Sequence, residues 1–388
     1  MAWLLSLLWA LSAEETPQLT HLKTIPERIA ARDFPSIFQA WNPADNLPSE
    51  DRWETMARHD LVWLGTGALG LRWNHHYAGL AKGFVPEDLS SALERRRLLL
   101  EKNPCLILIA EIRYRDAGDW YLPPDHPWWQ RDESGQRIVG WEEGNYYLLD
   151  FSNPAFQAQV AQQAAAAVRS GVFDGVLLDW WRDDPERLSL LRRVREAVGP
   201  DALILVNSND RTVPKSAPYV NGLFMECYRS QTPEDWRRIE ATLRWAESAL
   251  RAPRANCLET WYHRSRRDEH LMRATTTLVL THSDGYALFS DPNPLPTPDH
   301  LHDWYPFWDA PLGRPTAPGV RREDGSWTRE FTGGTALYNP MGNPPTAIRF
   351  STPRWSVAQG RSGTTFTVPG GDGDLFLQRT EANLNRKQ

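Results

Sequence analysis

Phe173-Asp174-Gly175-Val176-Leu177-Leu178-Asp179-Trp180-Trp181 sets three apolar residues between an Asp-Gly pair and an aspartate followed by two tryptophans. A short continuous apolar run bounded in this way reads as a strand buried on both faces, the kind that parallel sheets contain. Asp179 then falls at the C-terminal end of that strand, between apolar and aromatic neighbours. A carboxylate is costly to desolvate without a partner, so one at such a position has a specific role, as hydrogen-bonded support or in chemistry.

Working outward, seven further runs of the same texture bring the total to eight: residues 34–41, 60–65, 105–114, 173–180, 202–208, 222–228, 256–262 and 285–290. Stretches of helical composition separate them, notably residues 86–102, 154–170 and 233–250, with apolar positions on one face and a proline at or near the start. Strands that alternate with crossover helices must lie parallel, and eight of them predict an α/β fold of the closed (β/α)8 TIM-barrel type over residues 30–310. Residues 116–150, rich in Trp, Pro and Gly and without periodicity, read as an elaborated loop after the third strand. Beyond residue 310, Gly, Pro and Thr punctuate short alternating runs at 335–338, 347–350, 364–368 and 375–378. That pattern predicts a small C-terminal all-β, sandwich-like domain over residues 311–388.

A chain of 388 residues has room for both units. Its net charge of -6 gives no electrostatic case for a nucleic-acid partner. Nineteen tryptophans do stand out, because indole offers a flat apolar face to the C–H face of a sugar ring and keeps an N–H for hydrogen bonding. Core and interface packing accounts for about half of them. The apolar residues 1–13, ending in small residues, resemble a secretory signal although no basic segment precedes the apolar stretch. We therefore expect a signal peptide over residues 1–16 and a secreted or periplasmic protein. No later stretch approaches the ~20 apolar residues of an integral membrane span, and a monomer is expected. Cys105, Cys227 and Cys257 each lie in a strand-like run and read as buried free thiols rather than disulfide or zinc positions. His75 and His76 are adjacent, so their side chains diverge, and no matching His or Cys completes a metal site; no metal or other cofactor is expected.

In a barrel of this kind the residues at the C-terminal strand ends face the active site. The sixth run, Gly222-Leu223-Phe224-Met225-Glu226-Cys227-Tyr228, carries a second shielded carboxylate, two strands from Asp179. Retaining glycosidases need two carboxyl groups ~5 to 5.5 Å apart, one as nucleophile and one as a proton donor that is neutral near working pH. Burial among Phe224, Met225 and Cys227 favours Glu226 as the donor and leaves Asp179 ionised as the nucleophile. A separation of ~6.5 to 9.5 Å would instead make Asp179 the base of an inverting enzyme. Around the pair, Glu111, Arg113, Asn207, Glu259 and Asp291 are expected to hold sugar hydroxyls, with Asn209 a further polar candidate, while Trp41, Trp180, Trp261 and Tyr262 supply stacking faces. The expected partner is a poly- or oligosaccharide. A non-catalytic carbohydrate-binding protein on the same barrel is the alternative.

The run Phe173 to Asp179, the triplet Phe224-Met225-Glu226 and a tail segment, Arg329-Glu330-Phe331-Thr332-Gly333-Gly334-Thr335-Ala336-Leu337-Tyr338-Asn339-Pro340, together resemble glycoside hydrolase-like family fifteen and its relatives among the endo-polygalactosaminidases. That resemblance spans residues 34–379. It implies a (β/α)8 barrel with an Asp nucleophile after the fourth strand, an acid after the sixth, and a C-terminal β-domain opened by an Arg-x-Phe-x-Gly motif. Asp179 and Glu226 stand at the matching positions, and α-acting retaining glycosidases share this arrangement.

Overall fold

The computed structural model describes residues 23–291 and 300–378. The expected signal peptide over residues 1–16 lies outside them.

Eight parallel strands form one sheet: β1 (Phe38–Ala40), β2 (Leu61–Leu64), β3 (Ile107–Glu111), β4 (Gly175–Leu178), β5 (Leu203–Asn207), β6 (Gly222–Cys227), β7 (Cys257–Trp261) and β8 (Tyr286–Ser290). They are hydrogen-bonded in chain order, and a parallel bridge between Ile37 and Ala287 brings the first strand to the last, closing the barrel. Each lies within one of the eight predicted runs. Val176, Leu177 and Leu178 are fully buried, with helices outside and barrel interior within, which is why these strands read as unbroken apolar runs.

The two aspartates of the FDGVLLD stretch sit at opposite ends of β4 and do different work. Asp174, at the entry end, is buried and accepts hydrogen bonds from Arg28, Arg96 and the Leu108 amide. Burial acts to raise its pKa, but the guanidinium groups of Arg96 and Arg28 outweigh it and hold the carboxyl below its ordinary value. The pairing ties α1 (Ile25–Ala31) and α3 (Pro86–Lys102) to the barrel floor. Gly175 follows because a Cβ there would stand 2.2 Å from the Leu203 carbonyl oxygen on β5.

The helices are α1, α2 (Arg52–Ala57), α3, α4 (Pro154–Arg169), α5 (Pro185–Val198), α6 (Pro233–Ala249) and α7 (Glu269–His282). Asn153, Asp184 and Thr232 cap α4, α5 and α6, each just ahead of a proline. The loop after β3 contains a two-stranded ladder, Asp116–Ala117 against Tyr147–Leu148. Cys227 and Cys257 are buried in strands as expected; Cys105 is not, because it lies in the turn between α3 and β3 and remains partly exposed.

After the barrel, β9 (Val320–Arg321), β10 (Trp327–Phe331), β11 (Gly334–Asn339), β12 (Thr346–Ser356), β13 (Arg361–Val368) and β14 (Asp372–Gln378) form an antiparallel sheet ordered β9-β10-β11-β14-β12-β13. A register shift between Arg349 and Arg354 separates the part of β12 that pairs with β14 from the part that pairs only with β13. Ile348, Phe366 and Val368 there close a small core with Leu337 and Phe376. The sheet meets the barrel through α7, where Arg273 forms a two-pronged ion pair with Asp372 at 2.8 and 2.9 Å. Among the described residues, no helix is long and apolar enough to cross a membrane.

Candidate active site

Asp179 is the first residue past β4 and is partly buried. Its Oδ1 accepts hydrogen bonds from the Trp180 amide at 2.9 Å and from Asn207 Nδ2 at 2.8 Å. The same Asn207 nitrogen donates to Glu226 Oε2, also at 2.8 Å. The Asn209 amide donates to Asn207 Oδ1, which fixes the side-chain amide with its NH2 toward the two carboxyl groups. The two carboxyl oxygens therefore lie no farther apart than twice 2.8 Å. With both hydrogens of one planar NH2 engaged, a separation of about 5 Å follows.

Glu226 is level with Glu259 on the neighbouring strand. Glu259 is fully buried; its Oε1 accepts from Ser290 Oγ and, at 2.8 Å, from His300 Nδ1. Glu226, Glu259 and His300 have donor atoms within 4.8 Å of one another, the one such convergence found among the described residues. It involves neither His75 nor His76, both exposed. Trp63, Phe224 and His300 pack ring against ring beneath, with centroids 5.3 to 5.6 Å apart. In this setting the Glu226 pKa is pushed up to about 8, chiefly by burial and further by the charges of Glu259 and Asp179, while His300 and Asn207 oppose the rise.

Two cavities open at this end of the barrel, and Asp179 itself lines neither. One, of about 380 Å³, is lined by Trp41, Glu111 and Arg113 together with Trp73, His76 and Tyr146. There Arg113 pairs with Glu111 at 3.0 Å and lies over the Tyr146 ring. The other, of about 580 Å³, brings Trp180, Asn207, Glu226 and Trp261 together with Trp141 and Tyr228. Trp180 is 52% exposed and carries the Arg115 guanidinium 4.3 Å over its ring. Trp261 and Tyr228 face each other at 5.9 Å. Tyr146 and Trp141, in contact at 5.4 Å, belong to the long loop after β3 and stand between the cavities. Trp41, Trp180 and Asn209, all just past strand ends, have left-handed backbones with φ of 53°, 52° and 54°.

Tyr262 and Asp291 are placed differently. Both surround Arg266, whose Nε bonds the Tyr262 hydroxyl at 3.0 Å and whose Nη2 lies 3.8 Å from Asp291. Asp45 and Asp303 complete that cluster, and neither Tyr262 nor Asp291 lines either cavity. Arg115, Trp141, Tyr146, Arg211, Tyr228 and His300 were not anticipated. Most stand in loops, where no periodicity marks a facing direction; His300 had a visible neighbour in His302, but nothing in the sequence links it to Glu259.

A profile described as "Hypothetical glycosyl hydrolase family 15" matches residues 185–335, a minority of the chain that includes Glu226 but not Asp179. No match was found among curated proteins. Among solved structures, a noncanonic maltogenic α-amylase from Thermotoga neapolitana is 12% identical, with 89% of this chain and 99% of that chain covered and a TM-score of 0.52. An α-amylase from Malbranchea cinnamomea is 11% identical over 92% and 97% of the two chains, with a TM-score of 0.52. A cyclic α-maltosyl-(1→6)-maltose hydrolase from Arthrobacter globiformis is 13% identical over 91% and 100%, with a TM-score of 0.50. At such identities the likeness is one of fold. It corrects the kinship expected from the motifs: about nine tenths of the chain aligns with α-amylase-type folds, the family-fifteen profile reaches only residues 185–335, and the family tie over residues 34–379 with the endo-polygalactosaminidases is withdrawn.

Proposed function

We propose that this protein is a retaining glycoside hydrolase acting on α-linked oligo- or polysaccharides, with Asp179 as nucleophile and Glu226 as general acid and base. The observation that carries the proposal is the single Asn207 amide bonded to both carboxyl groups, which sets them at the spacing of a retaining pair. Asp179 attacks the anomeric carbon as the glycosidic C–O bond breaks, and Glu226 passes its proton to the departing oxygen. A water molecule then gives a proton back to Glu226 and attacks the same carbon, releasing Asp179. A Glu226 pKa near 8 keeps the donor protonated at neutral pH. The α-acting enzymes that share the fold support the choice of linkage.

Asp179→Asn and Glu226→Gln are each expected to lower hydrolysis by about three orders of magnitude or more while leaving the fold intact. Azide should restore turnover to an Asp179→Gly protein as a glycosyl azide of inverted configuration, because it replaces the nucleophile. Near wild-type rates in both carboxamide variants would refute the assignment, and a first product of inverted anomeric configuration would replace the retaining mechanism by an inverting one. Glycan binding with no turnover by the wild-type protein would make it a carbohydrate-binding barrel.

A further inference from the structure

The larger cavity is cationic although the chain as a whole carries a net charge of -6. Its charged lining consists of Arg115, Arg182, Arg187 and Arg211 against Glu143 and Glu226. Neutralisation from behind is incomplete. Arg182 and Arg187 share one carboxylate, Asp184, at 3.1 and 2.5 Å. Arg115 pairs with Asp116, which also faces Arg113. Arg211 has no ion pair among the described residues; its guanidinium donates to the Ser208 carbonyl and to Asn209 Oδ1, both uncharged. Glu226 contributes no charge in its proton-donor form, while Asp179, ionised as nucleophile, sets one negative charge behind Asn207. Trp141, Trp180, Tyr228 and Trp261 line the same space, so the positive charge is arranged around faces fit for a sugar ring.

Resting on the hydrolase reading above, we infer that this cavity is a subsite for an α-linked sugar bearing an anionic substituent, a uronic carboxylate or a sulfate ester, with Arg211 as its principal ion-pairing partner. Guanidinium groups pair with carboxylate and sulfate oxygens in the same planar, two-pronged fashion. A partly enclosed cleft of one charge sign strengthens that pairing relative to open water.

Binding to the full-length Glu226→Gln protein tests this by calorimetry at low ionic strength, with four probes: tri(α-galacturonic acid), sulfated maltotriose, maltotriose and an α-linked galactosamine trisaccharide. At least one anionic probe is expected to bind about tenfold more tightly than maltotriose and to weaken as salt is added; which one prefers the site decides between carboxylate and sulfate. Adding Arg211→Gln should remove most of that preference and leave maltotriose binding as it was. Equal or weaker binding of both anions, preference for the galactosamine probe, or an anion preference untouched by Arg211→Gln would overturn the inference. Hydrolysis by the wild-type protein separates the two readings. Anion preference without cleavage of any α-linked polymer defeats the hydrolase and leaves the subsite standing; cleavage of amylose with no anion preference does the reverse.

Discussion

Asn207, expected from the sequence to hold a sugar hydroxyl, has its side-chain amide engaged within the protein at the residue scale. Both its amide hydrogens go to the two carboxyl groups and its oxygen takes the Asn209 amide, so it positions the pair. Glu226 carries the cost of its surroundings. In the folded protein it keeps its proton to about pH 8, whereas the unfolded chain releases it near the ordinary carboxyl value of 4.5. Between those limits the folded state binds more protons, so this residue's contribution to stability falls as pH rises. Glu226→Gln, which cannot ionise, should therefore melt about 2 to 4 °C above wild type at pH 9, and the difference should vanish below pH 4. Parallel melting curves for the two proteins across that range would show that Glu226 titrates normally. Asp179 and Glu226 were legible in the sequence because each interrupts an apolar run at its end. Arg211 and His300 were not, because loop residues carry no period that says where they point.

For the elements, legibility followed burial. Barrel strands covered on both faces have to be apolar throughout, and Gly175 shows how closely they approach. Gly175→Ala would push a Cβ to 2.2 Å from the Leu203 oxygen. Because that atom is backbone, the β4–β5 ladder itself must shift, and we expect a loss of about 3 kcal/mol or more in urea unfolding. A loss below about 0.5 kcal/mol would mean that the two strands are free to move apart. Helix α7 illustrates the opposite case. Its Met272-Arg273-Ala274-Thr275-Thr276-Thr277-Leu278-Val279-Leu280-Thr281 segment is buried throughout, between barrel and C-terminal sheet, and so shows no polar face to give an amphipathic signature. The threonines, β-branched and strand-like on paper, are accommodated by returning their hydroxyls to carbonyls four residues back: Thr275 to Leu271, Thr276 to Met272, Thr277 to Arg273 and Thr281 to Thr277.

Across the whole molecule, that helix joins the two units. Arg273 and Asp372 are nearly buried, and Asp372 also accepts from His270 at 2.8 Å and from the Gly373 amide. Asp372→Asn would leave Arg273 with the exposed Glu269, 3.4 Å away, as its remaining ion-pair partner. A loss of about 3 kcal/mol is expected, read as a lower denaturation midpoint followed by both tryptophan fluorescence and far-ultraviolet circular dichroism. No change in midpoint would mean that the sheet contributes nothing to the barrel through this contact. The division into barrel and β-sheet was visible in the change of texture past residue 310, whereas the pairing of His270 and Arg273 with Asp372 spans about a hundred residues and leaves no local trace.

Trp41, Trp180 and Asn209 leave three strand ends around one cleft through left-handed backbones. At Trp41 and Trp180 the left-handed backbone opposes the local preference of a bulky side chain, whereas at Asn209 it suits asparagine, which enters that region more readily than most residues. At the two tryptophans local preference and tertiary packing conflict, as they do for the α7 threonines, and packing prevails. The rim of the cleft therefore presents its two tryptophans in a shape that the surrounding barrel, not the local chain, maintains.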